Sequence, residues 1–151
     1  MNEDQSIEKT IEAFTALSQE GIQQLSKLND RIQAHQGLWG ESRGGEKDEN
    51  GVIQMPYINK DPIITDFLEF MYDNHLVVVF DWSKWDGGRE WYKIEDDSKY
   101  NQLDTGTALK LLTAVIRNDR FNEGALVSAF DSGDFPKIIN RLVELARGNA
   151  A

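Results

Sequence analysis

From Thr105 to Gly148 the chain is punctuated as a run of helices, and this limits the fold to a mainly helical one. Thr105 or Thr107 can cap a helix whose apolar positions are Ala108, Leu111, Leu112, Val115 and Ile116. That apolar face is wide, as in a helix at the centre of a core. Asn122 can cap a second helix, "EGALVSAF", which stops near Gly133. Asp134 can cap a third, "FPKIINRLVELAR", with Pro136 in its first turn and Gly148 just past its end. Ile138, Ile139, Leu142 and Leu145 would face inward.

Between the first two helices stands "IRNDRFNEGAL", Ile116 to Leu126, where charge is concentrated as the core patterns meet. Continuing the first helix at about 100° per residue puts Asp119 on the core face with Leu112, Val115 and Ile116. An isolated buried carboxylate is very costly, whereas a paired and hydrogen-bonded one is tolerable. Either the helix ends near Asn118 and Asp119 caps the next turn, or Asp119 is buried and paired with an arginine. Phe121 would anchor the corner, and Gly124 would permit close approach of another segment. The segment reads as an ion-pair joint between two helices. It also reads as an anion grip, with Arg117 and Arg120 beside the acids Asp119 and Glu123, because arginine forks suit phosphate and carboxylate. On the joint reading, Arg117 and Glu123 are the outer residues left available.

Upstream, Ser6 to about His35 carries Ile7, Ile11, Phe14, Leu25, Leu28 and Ile32 on one seam with steps of three and four. Ser6 is a plausible cap. The segment is one long helix, or two broken near Gly21, where glycine costs roughly 1 kcal/mol against alanine. Its seam would pack on its own domain or make a homodimer through Ile7–Ile32. "GESRGGEKDENG", Gly40 to Gly51, reads as a mobile glycine-rich charged loop without the Gly-Lys-Ser/Thr ending of a phosphate loop. "VIQMPYI" suits an edge strand or connector because of Pro56. In "DPIITDFLEFMYDN", Asp61 caps, Pro62 opens the helix, Ile63, Phe67, Phe70 and Met71 face the core, and Asn74 ends it. "HLVVVF" reads as a buried strand. The stretch from Asp81 to Gln102 reads as irregular, with a turn at Gly87 and Gly88. Expected, then, is a compact helical domain of about five helices with at most a small two-stranded β element. It divides into a helical segment at 1–36, a loop at 37–51 and a helical core at 52–148.

A second cluster of chemistry-bearing residues is "FDWSKWDGGREW". Asp81 follows the expected strand, and a carboxylate at a strand end is a common functional position. Trp82 and Trp85 offer flat faces to a base, sugar or cation, or serve as half-buried lids on the core. The candidate binding residues are therefore Asp81, Trp82, Trp85, Arg117, Asp119, Arg120 and Glu123.

Composition removes several chemistries. The chain has no cysteine, which rules out disulfides, thiol catalysis and cysteine-ligated metal. Its two histidines, His35 and His75, have no neighbouring ligand pattern, so neither metal nor cofactor is expected. No run of about 18 apolar residues or basic-apolar leader is present, and a cytoplasmic protein is expected. The net charge of −10 lies in Met1–Leu103, with 10 basic and 20 acidic residues, while Asp104–Ala151 is balanced. That field opposes direct binding to nucleic acid. It suits a solubilising surface, a basic partner or imitation of nucleic acid.

"IQMPY", "FDWSKW", "LLTAVIRNDRFNEGAL" and "FDSGDFPKIINRL" together resemble the pattern of an uncharacterised prokaryotic family classed as a domain of unknown function. The likeness covers roughly Gly51 to Leu145, and Asp-Arg-Phe-x-Glu-Gly is its most specific run. It implies a compact, mostly helical domain of bacteria, archaea and mobile elements, with Asp81, Trp82, Arg117, Asp119, Arg120, Glu123 and Gly124 in the pattern. It implies no activity. The leading expectation is a non-catalytic binding or regulatory module whose partner is a protein or a small anionic or aromatic ligand. The alternatives are an enzyme acting on a phosphorylated or nucleotide-like substrate, with Asp81 or Glu123 as base, and an acidic inhibitor or nucleic-acid mimic of phage or mobile-element origin.

Overall fold

A computed structural model describes residues 2–150, apart from the side chain of Ala150. Helix α1 (Glu3–Thr15) begins earlier than Ser6 would place it. Asn2 Oδ1 accepts from the Gln5 amide at 2.8 Å and Gln5 Oε1 accepts from the Asn2 amide at 3.1 Å, a reciprocal box that satisfies two free donors. The seam then breaks at 16–18 rather than at Gly21. Ser18 accepts from the Gly21 amide and starts helix α2 (Gln19–Ala34), so the glycine sits inside the first turn. Phe14, Leu25, Leu28 and Ile32 are buried within the chain's own core, and Ile7 packs on its margin.

Strands β1 (Gly40–Arg43) and β2 (Tyr57–Lys60) pair antiparallel, with Gly40 opposite Lys60 and Arg43 opposite Tyr57. The glycine-rich loop expected from Gly40 is thus a strand for its first four residues, and a bridge between Lys47 and Ile53 draws its far end together. The base of this hairpin is fixed by Trp39, which is buried against Phe130 and stacks on His35 with ring centroids 3.6 Å apart. His35 Nε2 in turn lies 3.0 Å from Asp61 Oδ2.

The other oxygen of Asp61 caps helix α3 (Pro62–Asp73), as the Asp-Pro pair predicts. The buried stripe is Ile64, Phe67, Phe70 and Met71, one position along from Ile63, which is only partly buried. Helix α3 closes on His75 at φ 59°, a left-handed position that usually takes glycine. The Leu76 amide donates to the Met71 carbonyl and the His75 amide to that of Tyr72, the double bond pattern of such a stop.

"HLVVVF" is not a strand. It is an irregular segment laid on helix α5 (Thr105–Asn118), where the Val78 amide donates to Thr113 Oγ1 at 3.0 Å. Leu76 and Val78 are buried, whereas Val79 is 65% exposed. The β-branched run fits because a helix, instead of a neighbouring strand, supplies the surface it packs on.

The stretch expected to be irregular contains a 3-10 turn at Trp82–Lys84 and a short helix, α4 (Asp86–Tyr92). Gly87 and Gly88 lie in that helix and mark no turn. Trp85 folds back over them so closely that a Cβ would come within 2.6 Å of its ring at Gly87 and 2.9 Å at Gly88. Asp104 caps α5 through the Thr107 amide, displacing both threonines as the cap. Helix α6 (Ala125–Asp131) is entered through Gly124 rather than capped by Asn122. Helix α7 (Asp134–Ala150) begins at Asp134 and runs through Gly148 instead of stopping there. The carboxylate of Asp134 does not cap helix amides; it accepts from Tyr100 Oη and Ser132 Oγ.

Among the described residues the fold is therefore mainly α, with seven helices and one two-stranded sheet. Helix α5 lies at the centre, touching α1, α6, α7 and the 3-10 turn, and α2 lies along α7. No helix of the described residues is long and apolar enough to cross a membrane.

Thr113→Val keeps the volume but leaves the buried Val78 amide without an acceptor. Urea denaturation should show a loss of about 1–3 kcal/mol. Tyr100 has its phenol pushed well above the ordinary range, first by desolvation and then by its hydrogen bond to Asp134. A phenol with a raised folded pKa contributes stability below its unfolded value near 10, and this is lost as pH rises through the folded value. Alkaline titration at 295 nm should therefore show two late-ionising tyrosines, Tyr92 and Tyr100, of which Tyr100→Phe removes the later one.

Candidate functional site

Helical phase turns Asp119 toward the core only if its helix continues past Asn118, and the helix does not continue. Helix α5 ends at Asn118, and Asp119, its C-terminal cap residue, has a side chain only 13% exposed. Oδ1 accepts from the amides of Gly124 at 3.2 Å and Leu126 at 3.1 Å, so the carboxylate serves the free donors at the start of α6. Its counter-ion is Lys60 Nζ at 3.4 Å, delivered by β2, and not an arginine as expected. The expected alternatives both hold in part: the helix stops, and the carboxylate is still buried and paired.

Glu123, expected to remain available, is also committed. Its Oε1 accepts from the Ile58 amide of β2 at 2.6 Å. Gly124 adopts φ 99°, and a Cβ there would come within 2.8 Å of Ile58 Cδ1. The Asp-Arg-Phe-x-Glu-Gly run therefore fastens the α5–α6 corner to the hairpin at three points.

The arginines stand apart from this fastening. Arg117 is half-buried in the last turn of α5 and lines a groove beside α1. Arg120 is exposed. Neither makes an ion pair among the described residues, so the anion grip does not form with Asp119 and Glu123 around one point. Phe121, expected as an anchor, points outward and is 81% exposed. It stacks on Trp82 with ring centroids 6.2 Å apart and planes 29° from parallel.

Trp82 and Trp85 share one cleft of about 300 Å³, bounded by α4 and by the face of α5 that carries Leu111, Val115 and Asn118. Trp85 meets Phe80 edge to face at 5.6 Å, and Lys110 Nζ lies 4.4 Å from its ring centroid. A cation over an aromatic face is attracted by the ring quadrupole, which holds this wall of the cleft in place. Tyr92 and Arg89 complete the rim. The Tyr92 phenol is pushed up to about 12 by desolvation and, second, by the charge of Asp134, so it remains a neutral hydrogen-bond donor. Asp81 lies outside the cleft. It accepts from Ser83 Oγ at 2.7 Å and has Lys84 Nζ at 3.9 Å, while its amide donates to Glu3 Oε2 of α1.

Sequence reasoning missed Arg89, Tyr92 and Lys110. The available signal was Lys110, a lone cation inside the apolar run of α5. Among the described residues, no group of three or more His, Asp or Glu is placed to hold a metal ion.

Removing the Asp119 carboxylate strands two amides and one ammonium at once. Asp119→Ala should destabilise the protein by about 1–3 kcal/mol in urea. Glu123→Gln keeps the size and an accepting oxygen, and should cost less. Hydrogen exchange at Ile58 should accelerate in Glu123→Ala and not in Arg120→Ala.

No curated protein and no solved structure matches the chain. A family model described as a family of unknown function, DUF6508, matches residues 17–148, from just after α1 to near the end of α7. That span takes in the corner, the hairpin and the tryptophan cleft, and on this match the chain belongs to the DUF6508 family.

Proposed function

We propose that the protein is a non-catalytic binding module of the cytoplasm whose partner sits on the Trp82–Phe121 stack and enters the adjoining cleft. The observation that carries this reading is the exposure of Phe121 on a corner that is otherwise rigidly fastened. Large flat side chains on a pre-organised support give up little conformational freedom on binding and dominate interface energetics. Arg89 and the neutral Tyr92 hydroxyl at the rim suit a ligand that combines an aromatic or apolar body with a polar or anionic group. A reaction on a phosphorylated substrate would need an anion grip and a base in one cleft. Glu123 is instead bound to the Ile58 amide, and Arg117 lines a different groove from the tryptophans.

The test is a titration of nucleotides and aromatic carboxylates against the full chain, followed by indole fluorescence. A saturable change is expected, weakened about tenfold or more in Trp82→Ala and Phe121→Ala, with the urea midpoint of the exposed Phe121→Ala nearly unchanged. A flat response across the panel removes the small-ligand half of the reading. A photo-crosslinking residue at position 121 then tests for a protein partner, with position 128 as an exposed control. Equal products from both positions overturn the proposal.

A further inference from the structure

A second hollow lies on another flank of α5, apart from the tryptophans. It is an open groove of about 650 Å³ between α1, the end of α3 and the irregular segment after His75. Ala13 and Ala16 form one wall, and Val77 and Val79 form the other. Val79 is 65% exposed although it belongs to the most apolar run of the chain, so this wall lacks apolar cover. Arg117 also lines the groove, among the polar side chains of Ser6, Thr10, Tyr72 and His75. Its place in the last turn of α5 suits the negative end of the helix. Helix polarity does not explain a half-buried guanidinium left without a carboxylate in a chain of net charge −10. Lys9 lines the same groove and also makes no ion pair among the described residues, while Glu12 is the one carboxylate on the lining.

We propose that this groove binds an amphiphilic carboxylate, with an apolar chain lying between the alanine and valine walls and its carboxylate on the Arg117 guanidinium. The apolar walls favour a chain over a compact polar ligand, and the two unpaired cations select an anionic head group over a neutral or cationic one. A planar guanidinium matches a carboxylate with two parallel hydrogen bonds. One wall belongs to the family-matched residues and the other to α1, which precedes them, so the complete groove depends on the N-terminal helix.

Sodium decanoate, kept below its micelle concentration, is titrated into the full chain by calorimetry, with decanol and decyltrimethylammonium in parallel. Saturable binding of decanoate alone is expected. Arg117→Gln should weaken it about tenfold or more, and Glu12→Gln should tighten it. Val79→Asp, at an exposed position, should abolish it with the fold intact by circular dichroism, and so serves if Arg117→Gln fails to fold. Trp82→Ala should leave it unchanged, which separates this site from the aromatic cleft. Absence of saturable binding, equal binding of decanol, or undiminished binding by folded Arg117→Gln or Val79→Asp overturns the proposal.

Discussion

Two backbone amides and one ammonium converge on the carboxylate of Asp119, and the arrangement of the central part of the chain follows from that convergence. The carboxylate stops α5, starts α6 and holds β2 beside both. Taken singly, each bond is modest, because folding exchanges water partners for protein ones. Their value is geometric. An acid mostly withdrawn from water must be surrounded by donors, and the few donors near it can meet there in few arrangements. The same demand explains why the neighbouring Glu123 and Gly124 face β2 while Phe121 is turned outward.

The helical part of this fold was legible because helices announce themselves locally. Asp61-Pro62 states a start, and the spacing of Phe67, Phe70 and Met71 states a face. Boundaries were less secure wherever several oxygen-bearing side chains compete within a few positions. Asp104, Thr105 and Thr107 could all cap α5, and which one does depends on the direction from which the chain arrives. The misreading of "HLVVVF" has a different source. Strand preference largely measures how well a side chain fits a half-buried, pleated surface, and here α5 provides the surface. His75 turns the chain out of α3 in a left-handed conformation that its sequence does not advertise.

At the site, helical phase singled out Asp119 as the residue that either caps or is paired, but could not give the identity of its partner. Lys60 belongs to a strand whose register is set by the whole hairpin. The separation of Arg117 from Trp82 was equally hidden, since both lie against α5 and only its angular spacing decides which hollow each one enters. The result is a central helix with an aromatic cleft on one flank and an apolar, cationic groove on another. Both hollows take part of their lining from α5, so one rod shapes two separate surfaces.

The bond from Glu123 to the Ile58 amide also decides how the small sheet can behave towards other chains. Along an antiparallel pair, alternate residues turn their backbone groups away from the neighbouring strand. Ile58 is one of these, and its outward donor is already occupied by a charged acceptor. A newcomer on the β2 side therefore meets a carboxylate already seated on the Ile58 amide. The hairpin is in effect a ribbon with one hem pinned at its middle, and that pin hinders both useful strand addition and unwanted edge-to-edge growth along β2.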